Sequence, residues 1–340
     1  MPAVSRAETA ALRVPALRLL SWPAGPGSGR KLIAYIFPGQ GSQKVGMGRA
    51  LADAFSVCRQ TFEEADSAFG EPLSRLCFSG PADQLMLTEN TQPAILTVSI
   101  AAYRLLSSLG LEPSITAGHS LGEYSAHVAA RTIAFGDALQ LVRRRGRYMQ
   151  DAVPVGEGAM AAIVGLYAAA VARACEEAAG GQVVEPANLN GPEQVVIAGS
   201  KAAVRRAGDR AKALGARRVI AIPVSAPFHC ALMKPAEDRL APELRALEAR
   251  DPRVPVVANV DGEPKREARA AIEALVRQVS SPVQWEAVVR RLASEGVNAY
   301  VEVGPGTVLT GLVRKIDRDA ATAHIETPAD LVAVKALFGR

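Results

Sequence analysis

The sequence is poor in the residues that bind metals or form disulfides. It contains four cysteines and four histidines in 340 residues. No two cysteines have the C-x-x-C spacing of a zinc or redox motif, so we expect no metal site. We expect the cysteines to be reduced thiols in an intracellular compartment. They are Cys58, Cys77, Cys175 and Cys230.

Two further absences argue against a membrane protein and a nucleic-acid-binding protein. No apolar run reaches the roughly 18 residues that a transmembrane helix needs. The net charge is +5, and residues 1–30 carry four arginines and one glutamate (+3), which leaves +2 for the rest of the chain. Because those remaining charges are interspersed and form no basic stripe, we predict no nucleic-acid partner. A local basic patch for an acidic protein partner stays open.

Residues 1–30 differ in composition from the rest of the chain. The stretch 7–22 could form a short amphipathic helix, and PAGPGSGRK (23–31) is typical of a flexible linker. The segment is rich in arginine and poor in acids, as mitochondrial transit peptides are, but it has only three serines. We predict a dispensable extension, or an upstream start codon, on a cytoplasmic protein. A mitochondrial location is the alternative.

One short stretch, TAGHSLGEYSAHVA (116–129), places Ser120 between Gly118 and Gly122 at G-x-S-x-G spacing. A serine at a strained strand-to-helix turn is a nucleophile elbow, where small neighbours let the backbone fold tightly and a substrate approach. The alternative is an ordinary glycine-containing turn with an N-cap serine. An apolar strand at 113–120 and a helix at 121–133 surround the motif, which is the context that the elbow requires.

The order of the predicted elements indicates an α/β protein with a small inserted subdomain. KLIAYIFPGQGSQ (31–43) is a strand that breaks at a Pro-Gly turn, and a helix is predicted over 91–110. PVVANV (255–260) and AYVEVGPG (299–306) are later strands of the main sheet. Between the elbow and these later strands, the predicted elements follow the βαββαβ order of ferredoxin-like folds. Its strands are predicted at 159–166, 182–188, 194–198 and 217–224, and its helices at 167–179 and 200–214.

A serine nucleophile needs a base to take its proton, and the four histidines are the candidates. His119 adjoins Ser120, so at an elbow its side chain should point away and support the turn. His127 lies on the outgoing helix, where it would pack or meet water, and His324 lies in a polar tail segment with nothing around it. His229 follows a strand end, where α/β sheets meet their ligands. Elimination therefore favours His229.

One arginine falls on an apolar helix face. Over residues 137–150 the apolar side chains recur on one face at helical spacing, and Arg145 lies in the middle of that face. A buried guanidinium requires a carboxylate or a hydrogen-bonding cage, because burial of an unpaired charge is costly. Arg145 therefore forms either an internal salt bridge or a clamp for a carboxylate on the substrate.

Taken in chain order, these segments resemble the malonyl-CoA:acyl carrier protein transacylases and the related acyltransferase domains of polyketide synthases. The resemblance spans about residues 32–316. It rests on FPGQGSQ (37–43), TQPA (91–94), GHSLGEYSA (118–126), RGRYMQ (145–150), QVVIAG (194–199), PVSAPFHC (223–230), SPVQW (281–285) and EVGPG (302–306).

The resemblance implies an α/β-hydrolase-like core with an inserted ferredoxin-like subdomain. We expect a flexible extension at 1–30, the core at 31–155 and 226–325, the subdomain at 156–225 and a C-terminal tail at 326–340.

The resemblance also implies roles for individual residues. Ser120 would carry the malonyl ester, His229 would be its base, and Arg145 would bind the free carboxylate of malonate. Gln40 and Leu121 would offer backbone N–H groups to the oxyanion.

Two further residues are assigned in the same way. The histidine would be oriented by a backbone carbonyl at Gln284, since we find no convincing aspartate for that role. Phe228 would stand beside the α-carbon of the acyl chain. In the related polyketide domains a phenylalanine there accompanies malonyl groups, and a serine accompanies methylmalonyl groups.

The implied reaction is a ping-pong transfer from malonyl-CoA to the phosphopantetheine thiol of acyl carrier protein, for fatty acid synthesis. We expect a monomer without cofactor, metal or membrane contact, whose basic residues steer an acidic carrier. One alternative is a stand-alone acyltransferase for a polyketide synthase. Another is a serine thioesterase or lipase, which would give no reason for Arg145. A non-catalytic scaffold would be expected to lack Ser120 or His229.

Overall fold

The structure is a computed structural model that describes residues 32–224 and 226–340. The predicted N-terminal extension, and with it the transit-peptide alternative, lies outside the described residues. The strands are β1 (Leu32–Phe37), β2 (Ile115–Gly118), β3 (Gly158–Val164), β4 (Val184–Gly191), β5 (Gln194–Ser200), β6 (Arg218–Ile222), β7 (Val256–Val257), β8 (Pro264–Lys265), β9 (Val297–Val303) and β10 (Ala321–Ile325).

The helices are α1 (Arg49–Ala54), α2 (Ser56–Phe69), α3 (Leu73–Ser79), α4 (Ala82–Met86), α5 (Thr88–Ser108), α6 (Leu121–Ala129), α7 (Phe135–Asp151), α8 (Ala168–Ala178), α9 (Lys201–Ala213), α10 (Lys234–Arg245), α11 (Ala268–Gln278), α12 (Trp285–Ser294), α13 (Val308–Ile316) and α14 (Leu331–Leu337). Short 3-10 turns cover Ala231–Met233 and Pro328–Asp330. In the described part of the chain, no helix is both long enough and apolar enough to cross a membrane.

A six-stranded sheet with the order β10-β9-β1-β2-β7-β8 forms the body of the molecule. All of its pairs are parallel except β7 with β8. The central strand β1 is covered on both faces: Ile33, Tyr35 and Phe37 join one apolar cluster, and Ala34 and Ile36 join another. Burial on both faces is why β1 is a continuous apolar run and does not alternate with polar residues. The predicted α/β class is confirmed.

A second, four-stranded sheet has the order β4-β5-β3-β6, with every neighbouring pair antiparallel. Helices α8 and α9 cover one of its faces through a cluster that includes Val171, Cys175 and Val204. The order and type of the six predicted elements agree with those observed. The strand predicted to end at residue 188 is longer, because β4 continues to Gly191 and the chain turns at 192–193.

The residues predicted as a C-terminal tail, 326–340, include α14, and the side chain of Val334 is completely buried. The prediction that His324 has nothing around it is wrong. His324 lies in β10, which pairs with β9, and its Nε2 is 3.3 Å from Oδ1 of Asp330. The strand is an edge strand of the large sheet, so its polar residues face water on one side and still belong to the folded body.

Candidate active site

Ser120 occupies the turn between β2 and α6. Its backbone angles are φ 52° and ψ −108°, so it lies in a region that residues other than glycine rarely adopt. Such strain costs of the order of 1–3 kcal/mol and persists only where the surrounding structure enforces it. The strand, turn and helix predicted around the serine are therefore present, and the turn is strained.

The glycines of the motif are needed because backbone segments pass very close to one another. A Cβ on Gly118 would lie 2.0 Å from the carbonyl carbon of Gly122. A Cβ on Gly122 would lie 2.0 Å from the carbonyl oxygen of Phe37, at the end of β1. Neither glycine has a positive φ. Lack of space, and not backbone freedom, therefore requires glycine on both sides of Ser120.

Two side chains hold the peptide groups on either side of the serine. The N–H of Ser120 donates to Oδ1 of Asn259 at 2.7 Å, and its carbonyl accepts from Nε2 of Gln278 at 3.0 Å. Nδ2 of Asn259 also donates to the carbonyl of Gly118 at 2.7 Å. These contacts satisfy the backbone polar groups that the strained turn removes from the regular strand and helix.

His229 contacts the serine hydroxyl directly. Its Nε2 lies 2.6 Å from Oγ of Ser120, and its Nδ1 lies 3.0 Å from the carbonyl of Gln278 and 3.2 Å from that of Ser281. Carbonyl oxygens only accept hydrogen bonds, so Nδ1 carries the proton and Nε2 is free to accept one. Burial, with a smaller effect from the nearby charge of Arg145, lowers the pKa of His229 to about 3. The imidazole is therefore neutral near pH 7.

The assignment of Gln284 is wrong. Its N–H donates to the carbonyl of Asn259 at 2.9 Å, and the residue precedes α12. The carbonyls that face Nδ1 of His229 belong to Gln278, the last residue of α11, and to Ser281 in the following turn. Every residue has a backbone carbonyl, so the identity of the orienting group depends on the path of the chain between two helices and not on a side chain that the sequence displays.

Arg145 lies on α7 with only 1% of its surface exposed. Its Nη1 donates to Oε1 of Gln92 at 2.8 Å, and its Nη2 donates to Oε1 of Gln278 at 3.0 Å and to Oγ of Ser120 at 3.2 Å. The guanidinium also lies over the ring of Tyr124, 5.3 Å from its centroid.

The surroundings of Arg145 answer the question that its position raised. Within residues 32–224 and 226–340, no carboxylate oxygen lies within 4.0 Å of its guanidinium nitrogens, so the guanidinium is held by a cage of neutral groups and not by an internal salt bridge. Arginine remains charged in proteins. A fixed positive charge beside the serine hydroxyl is suited to bind an anionic group of a ligand.

A cavity of about 640 Å³ adjoins these residues, lined by strands of the small sheet and by loops and helices that follow strands of the large sheet. We call its polar lining, together with the buried polar residues that adjoin it, the floor: Gln92, His119, Ser120, Arg145 and His229, with Glu123, His127, Asn259 and Gln278. We call its mainly apolar lining from the small sheet and the segment after β6, made of Met160, Val196, Ile222 and Phe228, the wall. Phe228 is 8% exposed. The bridge between Asn188 and Val283 ties β4 of the small sheet to the segment before α12.

Gln40 and Leu121 also line the cavity, and Leu121 is the first residue of α6. Among the hydrogen bonds between described residues, none uses the backbone N–H of either one. Nε2 of Gln40 donates to Oγ1 of Thr88 at 3.3 Å, which fixes the loop after β1. Their part in an oxyanion hole stays a prediction.

The other two histidines of this region have different surroundings. Nε2 of His119 lies 2.8 Å from Oδ1 of Asn190, and its ring packs on Trp285 with centroids 5.5 Å apart. The carbonyl of His119 accepts from the N–H of Gly122 across the turn. His127 is completely buried, and neither of its nitrogens has a hydrogen-bond partner among the described residues.

Three residues of the site were not predicted as such: Gln92, Asn259 and Gln278. Gln92 lies within TQPA, and Asn259 follows β7 where ligands of a parallel sheet collect. Gln278 is a fully buried polar residue at the end of α11. Its signal in the sequence is a polar side chain near the apolar face of an amphipathic helix.

No group of three His, Cys, Asp or Glu side chains in the described regions is arranged to hold a metal ion.

The chain is similar to known proteins over almost all of its described length. The sequence model of the acyl transferase domain family matches residues 34–331. The malonyl CoA-acyl carrier protein transacylase of Escherichia coli (strain K12) is 52% identical over 302 residues, which are 88% of this chain and 98% of that protein. The protein of that name from Bacillus subtilis (strain 168) is 46% identical over 297 residues, which are 87% of this chain and 94% of that protein.

Two solved structures show the same fold. An acyl carrier protein S-malonyltransferase from Vibrio cholerae superposes with a TM-score of 0.87 at 49% identity, covering 89% of this chain and 99% of that one. A malonyl-transacylase in complex with a type II PKS acyl-carrier protein superposes with a TM-score of 0.88 at 48% identity, covering 90% of this chain and 99% of that one.

Proposed function

The chain belongs to the acyl transferase domain family, and from that membership we propose that it transfers the malonyl group of malonyl-CoA to the phosphopantetheine thiol of acyl carrier protein, supplying malonyl-ACP for fatty acid synthesis. The single observation that carries the choice of a malonyl group is Arg145. Its charge is buried, held by neutral amides and lies 3.2 Å from the serine hydroxyl. A hydrolase of neutral esters would have no use for that charge.

In the first half-reaction, Oγ of Ser120 attacks the thioester carbonyl carbon while its proton passes to Nε2 of His229. The C–S bond then breaks, and the leaving sulfur of coenzyme A takes the proton from Nε2. The contact of 2.6 Å between Oγ and Nε2, and the carbonyls at Nδ1, support this assignment of the base. The product is a malonyl ester of Ser120.

In the second half-reaction, the pantetheine thiol of the carrier gives its proton to Nε2 of His229 and attacks the ester carbonyl. The C–O bond to Ser120 breaks, and Oγ recovers the proton. In both steps we assign the backbone N–H groups of Gln40 and Leu121 to the oxyanion, because both residues line the cavity at Ser120 and Leu121 begins a helix. The reaction needs no cofactor.

The partner is an acyl carrier protein. A similar protein of known structure is described as bound to such a carrier, and the match with this chain covers 99% of that protein. Because the carrier in that complex belongs to a type II polyketide system, service to a polyketide synthase is the second candidate. The mechanism would be the same and only the carrier would differ.

We also assign the finer architecture that the sequence predicted. The parallel sheet with the elbow after β2 supports an α/β-hydrolase-like core, and the order β4-β5-β3-β6 with two helices on one face supports a ferredoxin-like subdomain at 156–225. We assign the protein to the cytoplasm.

The test is intact-mass measurement after the protein is mixed with malonyl-CoA. We expect a stable malonyl adduct on wild type and none on Ser120→Ala. Addition of the carrier with its phosphopantetheine should remove the adduct and give malonyl carrier. Release of free malonate without an adduct would show a hydrolase instead. Transfer to a polyketide carrier but not to a fatty acid carrier would favour the second candidate.

A further inference from the structure

A buried carboxyl group lies beneath the site, one turn into α6. Glu123 is completely buried, three residues after Ser120. Its Oε2 accepts from Nε2 of Gln278 at 2.7 Å and from the backbone N–H of Asn259 at 3.0 Å. One oxygen atom thus receives a hydrogen bond from each of the two residues that hold the peptide groups of Ser120.

The same two residues connect Glu123 to the rest of the floor. Gln278 offers its side-chain oxygen to Arg145 and its backbone carbonyl to Nδ1 of His229. Asn259 holds the N–H of Ser120. A single buried oxygen is therefore connected, through one intervening residue, to the nucleophile, the base and the guanidinium.

We propose that Glu123 is a positioning residue for acyl transfer, whose Oε2 aligns Ser120, His229 and Arg145 through Asn259 and Gln278 without touching the substrate. The inference rests on the proposed function for its kinetic consequence.

Packing alone does not account for a carboxyl group at this place. Burial of a carboxyl group is costly unless its oxygens are paired, and an apolar side chain would fill the same space. Oε1 of Glu123 has no hydrogen-bond partner in the described part of the chain, and Nε2 of His127 lies 4.0 Å from it. What Glu123 supplies is the acceptor atom Oε2.

Oε2 of Glu123 can accept these two hydrogen bonds whether the carboxyl group is protonated or ionised. Burial raises its pKa to about 7, against the smaller lowering effects of Gln278, Asn259 and Arg145, and Asp261 adds to the increase. A protonated carboxyl group still has a carbonyl oxygen that accepts two hydrogen bonds, and so does an amide. Glutamine should therefore replace glutamate here, with its NH₂ group directed toward His127.

The test compares two substitutions of nearly equal size, Glu123→Gln and Glu123→Met. The first keeps an acceptor oxygen and the second removes it. The rate of Ser120 malonylation in a single turnover should stay within a few-fold of wild type for Glu123→Gln. For Glu123→Met it should fall about 10–100-fold, because a displacement of reacting atoms by about 1 Å slows a reaction by up to about 10²-fold.

A second reagent separates this inference from the proposed function. A fluorophosphonate modifies an aligned serine without any malonyl group, and its rate should fall in Glu123→Met and recover in Glu123→Gln. If wild type forms no malonyl adduct but the fluorophosphonate rates follow this order, the proposed function fails and the positioning role stands.

Two results would overturn the inference. One is a Glu123→Met protein that is less stable to urea but reacts at the wild-type rate with both reagents. The other is an equal loss of rate in Glu123→Gln and Glu123→Met. Should Glu123→Met not fold, Glu123→Asp decides, because a carboxylate shortened by one carbon cannot keep both hydrogen bonds. A wild-type rate in folded Glu123→Asp then refutes the inference.

Discussion

The two sides of the cleft are built in opposite ways. On the floor, side chains hold the reacting groups by directed hydrogen bonds: Arg145 donates to two glutamines, and both peptide groups of Ser120 are held by side chains. On the wall, the small sheet and the segment after β6 present mainly apolar side chains such as Met160 and Phe228.

This difference separates two tasks. Hydrogen bonds that fix a strained serine and a buried charge set the rate of the chemical step, because they position atoms to within a fraction of an ångström. Apolar contacts are not directional, so the wall can only select by shape, and shape selection by one methyl group is weak. Changes on the floor should therefore alter rates strongly, and changes on the wall should alter preference between substrates modestly.

The largest effect is expected from the base. His229→Ala should slow malonylation of Ser120 by about 10²–10⁴-fold, because no group remains to take the hydroxyl proton. The measurement is the single-turnover rate of adduct formation, with unfolding by urea as the check on stability. His119→Ala is the matched control, since its ring bonds Asn190 and not the serine. A greater loss in His119→Ala than in His229→Ala would contradict the assignment of the base.

The next effect concerns the buried charge. Arg145→Ala should cost malonyl transfer about 2–5 kcal/mol of transition-state stabilisation, as truncation of a buried charge partner does, while acetyl transfer falls little or rises. Arg145→Lys should recover part of the loss, since a point charge does not reproduce the planar fork. The measurement is a competition between malonyl-CoA and acetyl-CoA.

Arg147→Ala is the control for the buried arginine, because Arg147 lies on the same helix but pairs with Glu89 at the surface. It should leave the competition unchanged, as exposed pairs contribute little. A malonyl preference that survives in Arg145→Ala would contradict the carboxylate clamp.

Some residues of the floor could be predicted from the sequence alone. Ser120 and Arg145 were found from patterns that reach only a few residues, the strand–turn–helix order and the spacing of apolar residues on one helix. His229 was reached by elimination among four histidines and needed the resemblance to be joined to Ser120. The four-stranded sheet was predicted because its strands and helices follow one another in the βαββαβ order.

Other parts of the floor could not be predicted in this way. Asn259 and Gln278 act across 139 and 158 residues of sequence, where no local pattern applies. The orienting carbonyl was placed at Gln284 from the resemblance, but the turn after α11 decides which carbonyls face His229. Glu123 belongs to the motif GHSLGEYSA, but its partners Asn259 and Gln278 lie more than a hundred residues away, so no local pattern predicts its contacts.

On the wall, Phe228→Ser should relax the choice between malonyl and methylmalonyl groups. The ring lines the cleft next to His229, and its removal makes room for one methyl group, which is worth about 1–3 kcal/mol. The measurement is competition between malonyl-CoA and methylmalonyl-CoA, with Phe228→Leu expected to lie between wild type and Phe228→Ser. An unchanged ratio, or a loss of rate as large as that of His229→Ala, would break the division between floor and wall.

The smallest expected effect is on the pH dependence of the unfolding free energy, which should come from the floor and not from the wall. Burial lowers the pKa of His119, and it lowers the pKa of His127 and His229 to about 3, whereas the segment 156–225 has no histidine. Between about pH 3 and the ordinary pKa of 6.5, the unfolded chain therefore binds protons that the folded protein does not bind at His127 and His229. Stability conferred by these histidines is present above pH 6.5 and is lost as the pH falls, by roughly 1 kcal/mol one unit below 6.5 for each of His127 and His229.

Glu123 has the opposite sign, because burial raises its pKa from 4.5 to about 7 and the folded state then holds the extra proton. His127→Leu should therefore lose roughly 1 kcal/mol less stability than wild type between pH 7.5 and 5.5, and Glu123→Gln should lose more than wild type. The measurement is the urea unfolding free energy at the two pH values. If all three proteins lose the same amount, the buried histidine of α6 is not kept neutral by the fold, and the acid sensitivity has to come from groups outside the floor.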